Sequence, residues 1–312
     1  FYPDEQRWRV NATVFLLILV LLSIFVGAPL TIEDFKPLSV SGLTHEHILI
    51  GATGWILRVP RTNQLGLPDR EYLLQMKTVY DVAQESGVTP SCLGIVPPSD
   101  GLPHGALIVQ RINGRRVNSE NDLVAVAKCL AAMANVTAGE QSPLSLPPHP
   151  FATQWYVIYD VFGVYFDSAV IDPRVRALLK KEKDAVKVEI DALAGKSLPQ
   201  GMIGGDSHLA NYLIDAGGKA WFVDLEFLTF DVPGLDAADA VSSLTAHLDV
   251  GNRFSISQAA HDAFYKTWLQ HVNNSRENMK LISLCERVIT LRTLAWMRSE
   301  EHTSELQSLT NL

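Results

Sequence analysis

Ile203–Ile214 reads IGGDSHLANYLI, and after the turn Asp215–Lys219 the segment Ala220–Leu225 reads AWFVDL. Asp206 and Asn211 are separated by four residues, a spacing that a tight loop turns into a site for phosphoryl transfer. On such a loop Asp206 faces an acceptor hydroxyl while the amide oxygen of Asn211 reaches a magnesium ion that bridges nucleotide phosphates. The turn predicts a hairpin, which brings Asp224 alongside as a second metal ligand. Magnesium favours few carboxylates, with its other positions left to substrate oxygens and water. His208 reads as a group that orients these carboxylates. No second His or Cys lies at ligand spacing from it, so it is not read as a zinc ligand.

Upstream, the chain from Phe35 reads as strands. Ser39–Thr44 (SVSGLT) is a small-residue turn, and the apolar runs His47–Ile50 and Trp55–Val59 predict a hairpin. Leu73, Met76, Val79, Tyr80 and Ala83 recur at helical spacing and predict an amphipathic helix over Pro68–Glu85. Two more strands follow at Cys92–Val96 and Ala106–Ile112. After Asn113–Gly114 the pattern turns helical, with helices predicted over Asn118–Ala134, Asp172–Ala194, Asp236–Leu248, Ser257–Val272 and Asn278–Met297. Between the first two of these, Phe151, Trp155, Tyr159, Phe162 and Phe166 fall on one helical face, read mainly as core.

In these residues the chain resembles the aminoglycoside phosphotransferase and choline kinase superfamily. That family's hallmark reads His-Gly-Asp-x-His-x-x-Asn followed by a hydrophobic-Asp-x-Glu segment. Here these stand as Gly204-Gly205-Asp206-Ser207-His208-Leu209-Ala210-Asn211 and Phe222-Val223-Asp224-Leu225-Glu226. Pro233-Gly234-Leu235-Asp236-Ala237-Ala238 is similar to the family's Asp-Pro-x-x-Asp-Leu-Ala stretch. The resemblance covers Phe35 to Met297. It implies an α+β, two-lobed protein-kinase-like fold with a small mixed β/α N-lobe and a helix-rich C-lobe, and ATP- and Mg2+-dependent transfer to a small-molecule alcohol. Asp206 would then be the base, Asn211 and Asp224 the Mg2+ ligands.

The same resemblance assigns nucleotide contacts in the small lobe. Ser41-Gly42-Leu43-Thr44 looks like the family's phosphate-covering Gly-Leu-Thr-Asn turn, with His45 where Asn is usual; an ordinary hairpin turn fits the same residues. Arg58, a cation in an apolar strand, stands where a kinase places its phosphate-contacting Lys. A buried cation needs a partner, and Glu71 on the following helix is the candidate. A surface salt bridge or a snorkelling side chain is the competing reading of this pair. Gln110–Ile112 is the expected hinge, with main-chain groups for adenine. Asp236 is expected to cap the helix it begins and to brace the catalytic loop. Gly204 replaces the family's first His, a loop-bracing group. The resemblance therefore implies a looser loop and leaves open a second reading, an inactive pseudokinase that binds a nucleotide or a partner.

Composition sets the outer bounds. The 312 residues are 47% hydrophobic and 19% charged, enough for one large or two ordinary domains with a real core. A net charge of −8 gives no general attraction to nucleic acid. Cys92, Cys129 and Cys285 have no disulfide or zinc spacing and read as buried small hydrophobes in a reducing compartment, the cytoplasm. Val14–Leu30 (VFLLILVLLSIFVGAPL) is marginal in length for a membrane helix. With Arg7 and Arg9 upstream it would export the rest of the chain, which conflicts with ATP use. Residues 1–34 thus read either as a membrane or signal segment or as a stretch foreign to the fold. Arg298–Ser308 (RSEEHTSELQS) resembles a translated sequencing-library adapter, so 298–312 is set aside as non-native. The division is then 35–112 for the N-lobe and 113–297 for the C-lobe. For the acceptor, the acidic chain suits a cation such as an aminoglycoside, and the aromatic helix a quaternary amine such as choline. Sugars and homoserine- or thiamine-like alcohols stay open, as does the oligomeric state.

Overall fold

Alternation of apolar and polar side chains along short strands builds an antiparallel sheet. Its members are β1 (Phe35–Pro37), β2 (His45–Ile50), β3 (Trp55–Pro60), β4 (Cys92–Val96) and β5 (Ala106–Gln110), in the order β1-β2-β3-β5-β4. The register sets Ile48 opposite Leu57 and Leu57 opposite Ile108, so their side chains share one face. With Ile50, Val96, Ala106 and Leu22 they form one buried cluster. α1 (Asp69–Ala83) packs on β4 and β5. It buries Tyr72, Leu73, Met76, Val79, Tyr80 and Ala83, the helical face that the spacing predicts. It ends through a 3-10 turn at Gly87, whose φ of 68° reverses the chain.

A computed structural model describes residues 19–20, 22–24, 27, 29–38, 44–61, 66–100, 102–139, 142–144, 147, 149–161, 163–166, 172–246 and 254–310. The chain divides into two units, Phe1–Asn113 and Gly114–Leu312. Most of Val14–Leu30 lies outside the described residues, as do Ser41, Gly42 and Phe162. Within that apolar run, Leu22 is buried in the core of the first sheet. No helix among the described residues is long and apolar enough to cross a membrane.

Among its described residues the second unit has two small sheets. β6 (Gly114–Arg116), β8 (Tyr212–Asp215) and β9 (Ala220–Phe222) form one, with β8 central, while β7 (Gly201–Ile203) pairs with β10 (Thr229–Asp231). Its main helices are α2 (Leu123–Ala134), α3 (Pro173–Asp191), α4 (Gly234–Ala240), α5 (Gln258–His271) and α6 (Ser275–Thr310). α2 packs on α5. Asn135, at the end of α2, donates to His271 O and accepts from Asn273 N, tying the two helix ends together. The core joins Phe151, Ile158, Val186, Ile203, Leu235 and the α6 residues Leu281, Leu284, Cys285, Val288 and Ala295.

The described residues depart from these expectations in four places. The aromatic segment is not one continuous α-helix: Val157–Val161 forms a π turn, and the wider turn rotates the residues beyond it. Ile158 is buried as a result, while Tyr159 is 55% exposed. The helix predicted over Asp236–Leu248 stops at Ala240 and resumes as the short turn Ser243–Ala246. α6 runs through the polar residues set aside at 298–310, which carry helix formers such as Glu and Leu and extend a helix already nucleated. β6 has no counterpart among the predicted strands; it is held by Arg115, whose fork donates to both oxygens of Asp122.

Candidate active site

β7 delivers the chain into the loop 204–211 and β8 carries it away. Gly205 lies at φ 77°, and a Cβ there would stand 2.6 Å from Phe227 O, so only glycine fits. At Gly204 a Cβ would meet the Phe222 ring at 2.4 Å. The space a side chain at 204 would need is filled by that ring, which leans on Tyr212 with centroids 5.2 Å apart.

The loop is held through its backbone. Asp236 accepts from Gly204 N at 2.6 Å and from Gly205 N at 3.1 Å. Asp239, one turn further along α4, accepts from Ser207 N at 2.7 Å. Arg292 of α6 donates to Gly205 O at 2.7 Å and to Gln154 Oε1 at 3.2 Å, and its other arm reaches Asp239 Oδ2 at 2.9 Å. Asp236 occupies the interior of the first helical turn, with Pro233 at the cap position. Its expected helix-capping role is therefore corrected: its carboxylate serves the loop. Burial pushes that carboxyl up to about 6 against the pull of the two N–H groups.

Asp206, Asn211 and Asp224 come together through main-chain contacts. Asn211 Nδ2 donates to Asp206 O at 2.8 Å, and Val223 N donates to Asn211 O at 3.0 Å, which sets Asp224 one residue away. Asp206 keeps 42% of its side chain open and has His208 Nε2 at 3.7 Å. Burial of the rest raises its carboxyl above the usual range. His208 opposes this, Asp239 adds to it, Arg292 opposes it and Asp224 adds to it. Among the described residues no group of three or more His, Cys, Asp or Glu is placed to hold a metal. The donor set nevertheless suits magnesium. With its nitrogen spent on Asp206 O, Asn211 keeps its amide oxygen as a ligand, and Asp224 adds one carboxylate.

In the first unit Arg58 is buried and donates to Tyr80 Oη at 3.0 Å, with His45 Nδ1 at 3.4 Å from its other nitrogen. A guanidinium only donates, so Nδ1 accepts and the ring proton sits on Nε2, facing Tyr72 Oη at 3.2 Å. Glu71 is exposed on the first turn of α1. Its expected pairing with Arg58 is corrected: Tyr80, on the buried face of the same helix, supplies the contact. Thr44 Oγ1 lies 2.9 Å from His45 Nδ1. Of the expected hinge, Gln110 N and Arg111 N are already bonded to Ser91 O and Gly54 O. Among the described residues, only Ile112 keeps its N–H and C=O unengaged in that stretch.

The aromatic rings read as suited to a cation are covered by lysines of α3. Lys183 lies over Tyr159 at 5.0 Å and Phe166 at 5.9 Å, and Lys187 over Trp155 at 6.0 Å. Asp239, Arg292 and Gln154 escaped the sequence reading. Two signals could have found the first pair. Asp239 follows Asp236 at the i, i+3 spacing that shares a helix face, and Arg292 falls on the same helical period as the core residues Cys285, Val288 and Ala295.

Comparison with known proteins adds a family and a fold. The profile of the Phosphotransferase enzyme family matches residues 34–275. No curated protein matches the chain. Among solved structures, an ethanolamine kinase from Plasmodium vivax is similar at TM-score 0.62 and 12% identity, over 94% of this chain and 84% of that one. Choline kinase LicA from Streptococcus pneumoniae gives 0.56 and 11%, over 93% and 92%. A thermostable mutant of aminoglycoside phosphotransferase APH(4)-Ia, in ternary complex with ADP and hygromycin B, gives 0.57 and 15%, over 92% and 93%. The fold is accordingly α+β and kinase-like, an antiparallel sheet unit followed by a helical one.

Proposed function

The chain belongs to the Phosphotransferase enzyme family, and from that premise we propose that it transfers the γ-phosphate of ATP to a hydroxyl of a small, amine-bearing alcohol. The observation that carries the proposal is the bond from Asn211 Nδ2 to Asp206 O. It joins the two ends of the loop and leaves the Asn211 amide oxygen for a cation. Asp206 takes the proton of the acceptor hydroxyl, and its raised basicity suits that task. Asn211 and Asp224 hold magnesium, which when bound neutralises phosphate charge and orients the transferring group. Asp236 and Asp239 keep the loop backbone from yielding as charge moves. In the first unit Arg58 serves a phosphate oxygen and the main chain of Ile112 a nucleobase. The named structural relatives, which include ethanolamine, choline and aminoglycoside kinases, support an amine-bearing acceptor, and the net charge of −8 is compatible with a cation.

Melting of the full chain with and without Mg-ATP, beside Asp224→Ala, tests the proposal. Saturation at 100 times Kd adds about 2.7 kcal/mol, a rise on the order of 5–10 °C, and Asp224→Ala should lose it. A folded chain that ignores Mg-ATP would overturn the reading. A chain that binds Mg-ATP yet phosphorylates no ethanolamine-, choline- or aminoglycoside-type alcohol would favour the pseudokinase.

A further inference from the structure

We infer that Arg292 is a positioning residue for Asp206, fixing both peptide groups that flank it through a single ion pair with Asp239. The Gly205 carbonyl belongs to the peptide before Asp206 and receives Arg292 Nη1 at 2.7 Å. The Ser207 N–H belongs to the peptide after it and donates to Asp239 Oδ2 at 2.7 Å. Arg292 Nη2 and that same Oδ2 are 2.9 Å apart. The two dihedrals that orient Asp206 are the rotations between these two peptide planes. Locking both planes therefore fixes the direction of the Asp206 Cα–Cβ bond, from which the carboxylate extends.

The pair lies in a place where such a lock is durable. Asp239 is 1% exposed and Arg292 15%, so water and salt screen them little. Nη1 also holds Gln154 Oε1 at 3.2 Å. Three acceptors in different directions match the fork of a guanidinium and not the point charge of an ammonium. Gly204 offers no side chain to brace the loop, and Phe222 fills the space one would need; the brace instead comes from a helix far along the chain.

The consequence for catalysis rests on the phosphotransfer reading, and the experiment separates the two. In the full chain, kcat and KM for Mg-ATP are measured for the wild type, Arg292→Lys and Arg292→Gln. Hydrogen exchange at the Asp206 and Ser207 amides is followed in the same proteins. Arg292→Lys keeps a charge against Asp239 and remains folded. It should lose about 10–100-fold in kcat with KM for Mg-ATP within about 2-fold. Arg292→Gln, which also removes the charge, should lose at least as much in kcat. A folded Arg292→Lys with wild-type kcat overturns the inference, even if Arg292→Gln does not fold. If the wild type itself transfers no phosphate, the phosphotransfer reading falls and amide exchange decides Arg292 alone: faster exchange at Asp206 and Ser207 in a folded Arg292→Lys supports the positioning, and unchanged exchange overturns it.

Discussion

The turn Asp215–Lys219 and the loop 204–211 sit at opposite ends of β8 and solve the same problem, exposed N–H groups in a tight reversal, with carboxylates. In the turn, Asp215 accepts from Gly217 N at 2.9 Å, Lys219 N at 3.0 Å and the Trp221 indole at 2.9 Å, all within six residues. In the loop, the carboxylates come from 31 and 32 residues away and the arginine from 87. The electrostatics diverge accordingly. The Trp221 indole and the Lys219 amide hold the half-buried Asp215 carboxyl below its ordinary value, whereas burial pushes Asp236 up to about 6 although it too accepts from two amides. A solvated turn is finished by its own residues; a buried one exists only when the fold around it is complete.

The contrast can be broken or sharpened by substitution. The largest expected difference is in turnover. Asp206→Ala should lower kcat by about 10³-fold or more while still binding ATP, and Asp215→Ala should leave kcat within about 2-fold. ADP release followed at saturating acceptor checks both, and equal effects would erase the distinction. Next comes stability, measured by urea midpoints. Asp236→Ala orphans one buried and one partly buried amide and should cost about 2–5 kcal/mol, far more than Asp215→Ala.

Smaller again is the glycine pair. Gly205 and Gly218 have φ 77° and 78°, but a Cβ at Gly218 would meet nothing within 4 Å. Gly218→Ala should cost about 1–2 kcal/mol from conformation alone. Gly205→Ala adds a clash with Phe227 O, raising the loss to about 2–4 kcal/mol. The smallest effect is a slope with pH, at most about 1.4 kcal/mol per pH unit for each proton. The raised Asp236 contributes stability below its unfolded value near 4 and loses it as pH rises through about 6. The lowered Asp215 contributes above its unfolded value and loses this as pH falls through its folded one. Asp236→Asn should flatten the curve between roughly pH 4 and 6, and Asp215→Asn only the part below.

The same contrast explains what the amino-acid sequence discloses. The turn DAGGK announces itself, and the spacing of Asp206 and Asn211 suffices to set both on one short loop, because local geometry follows from local residues. The strands around Ile48, Leu57 and Ile108 and the buried face of α1 follow from period alone. Features that depend on distant packing are less legible. Arg58 stands out as a cation in an apolar strand, yet the group of α1 it meets is Tyr80 rather than the carboxylate Glu71, since burial and not charge decides which group of α1 faces it. Arg292 hides for the opposite reason, a charged residue being unremarkable in a long helix until Gly205 is found beside it. The π turn at Val157–Val161 moves Tyr159 off the expected face, and no periodicity reveals an inserted residue before the helix is seen.

The distance between Gly205 and Arg292 also has a meaning in time. A chain made at about 5–20 residues per second leaves the loop without its arginine for several seconds, because the two are 87 positions apart. Through that interval the first sheet, whose strands all precede Asn113, can already be complete, while the backbone on either side of Asp206 still lacks its brace. The first sheet can thus form early in synthesis, and the loop 204–211 acquires its brace only when α6 is made.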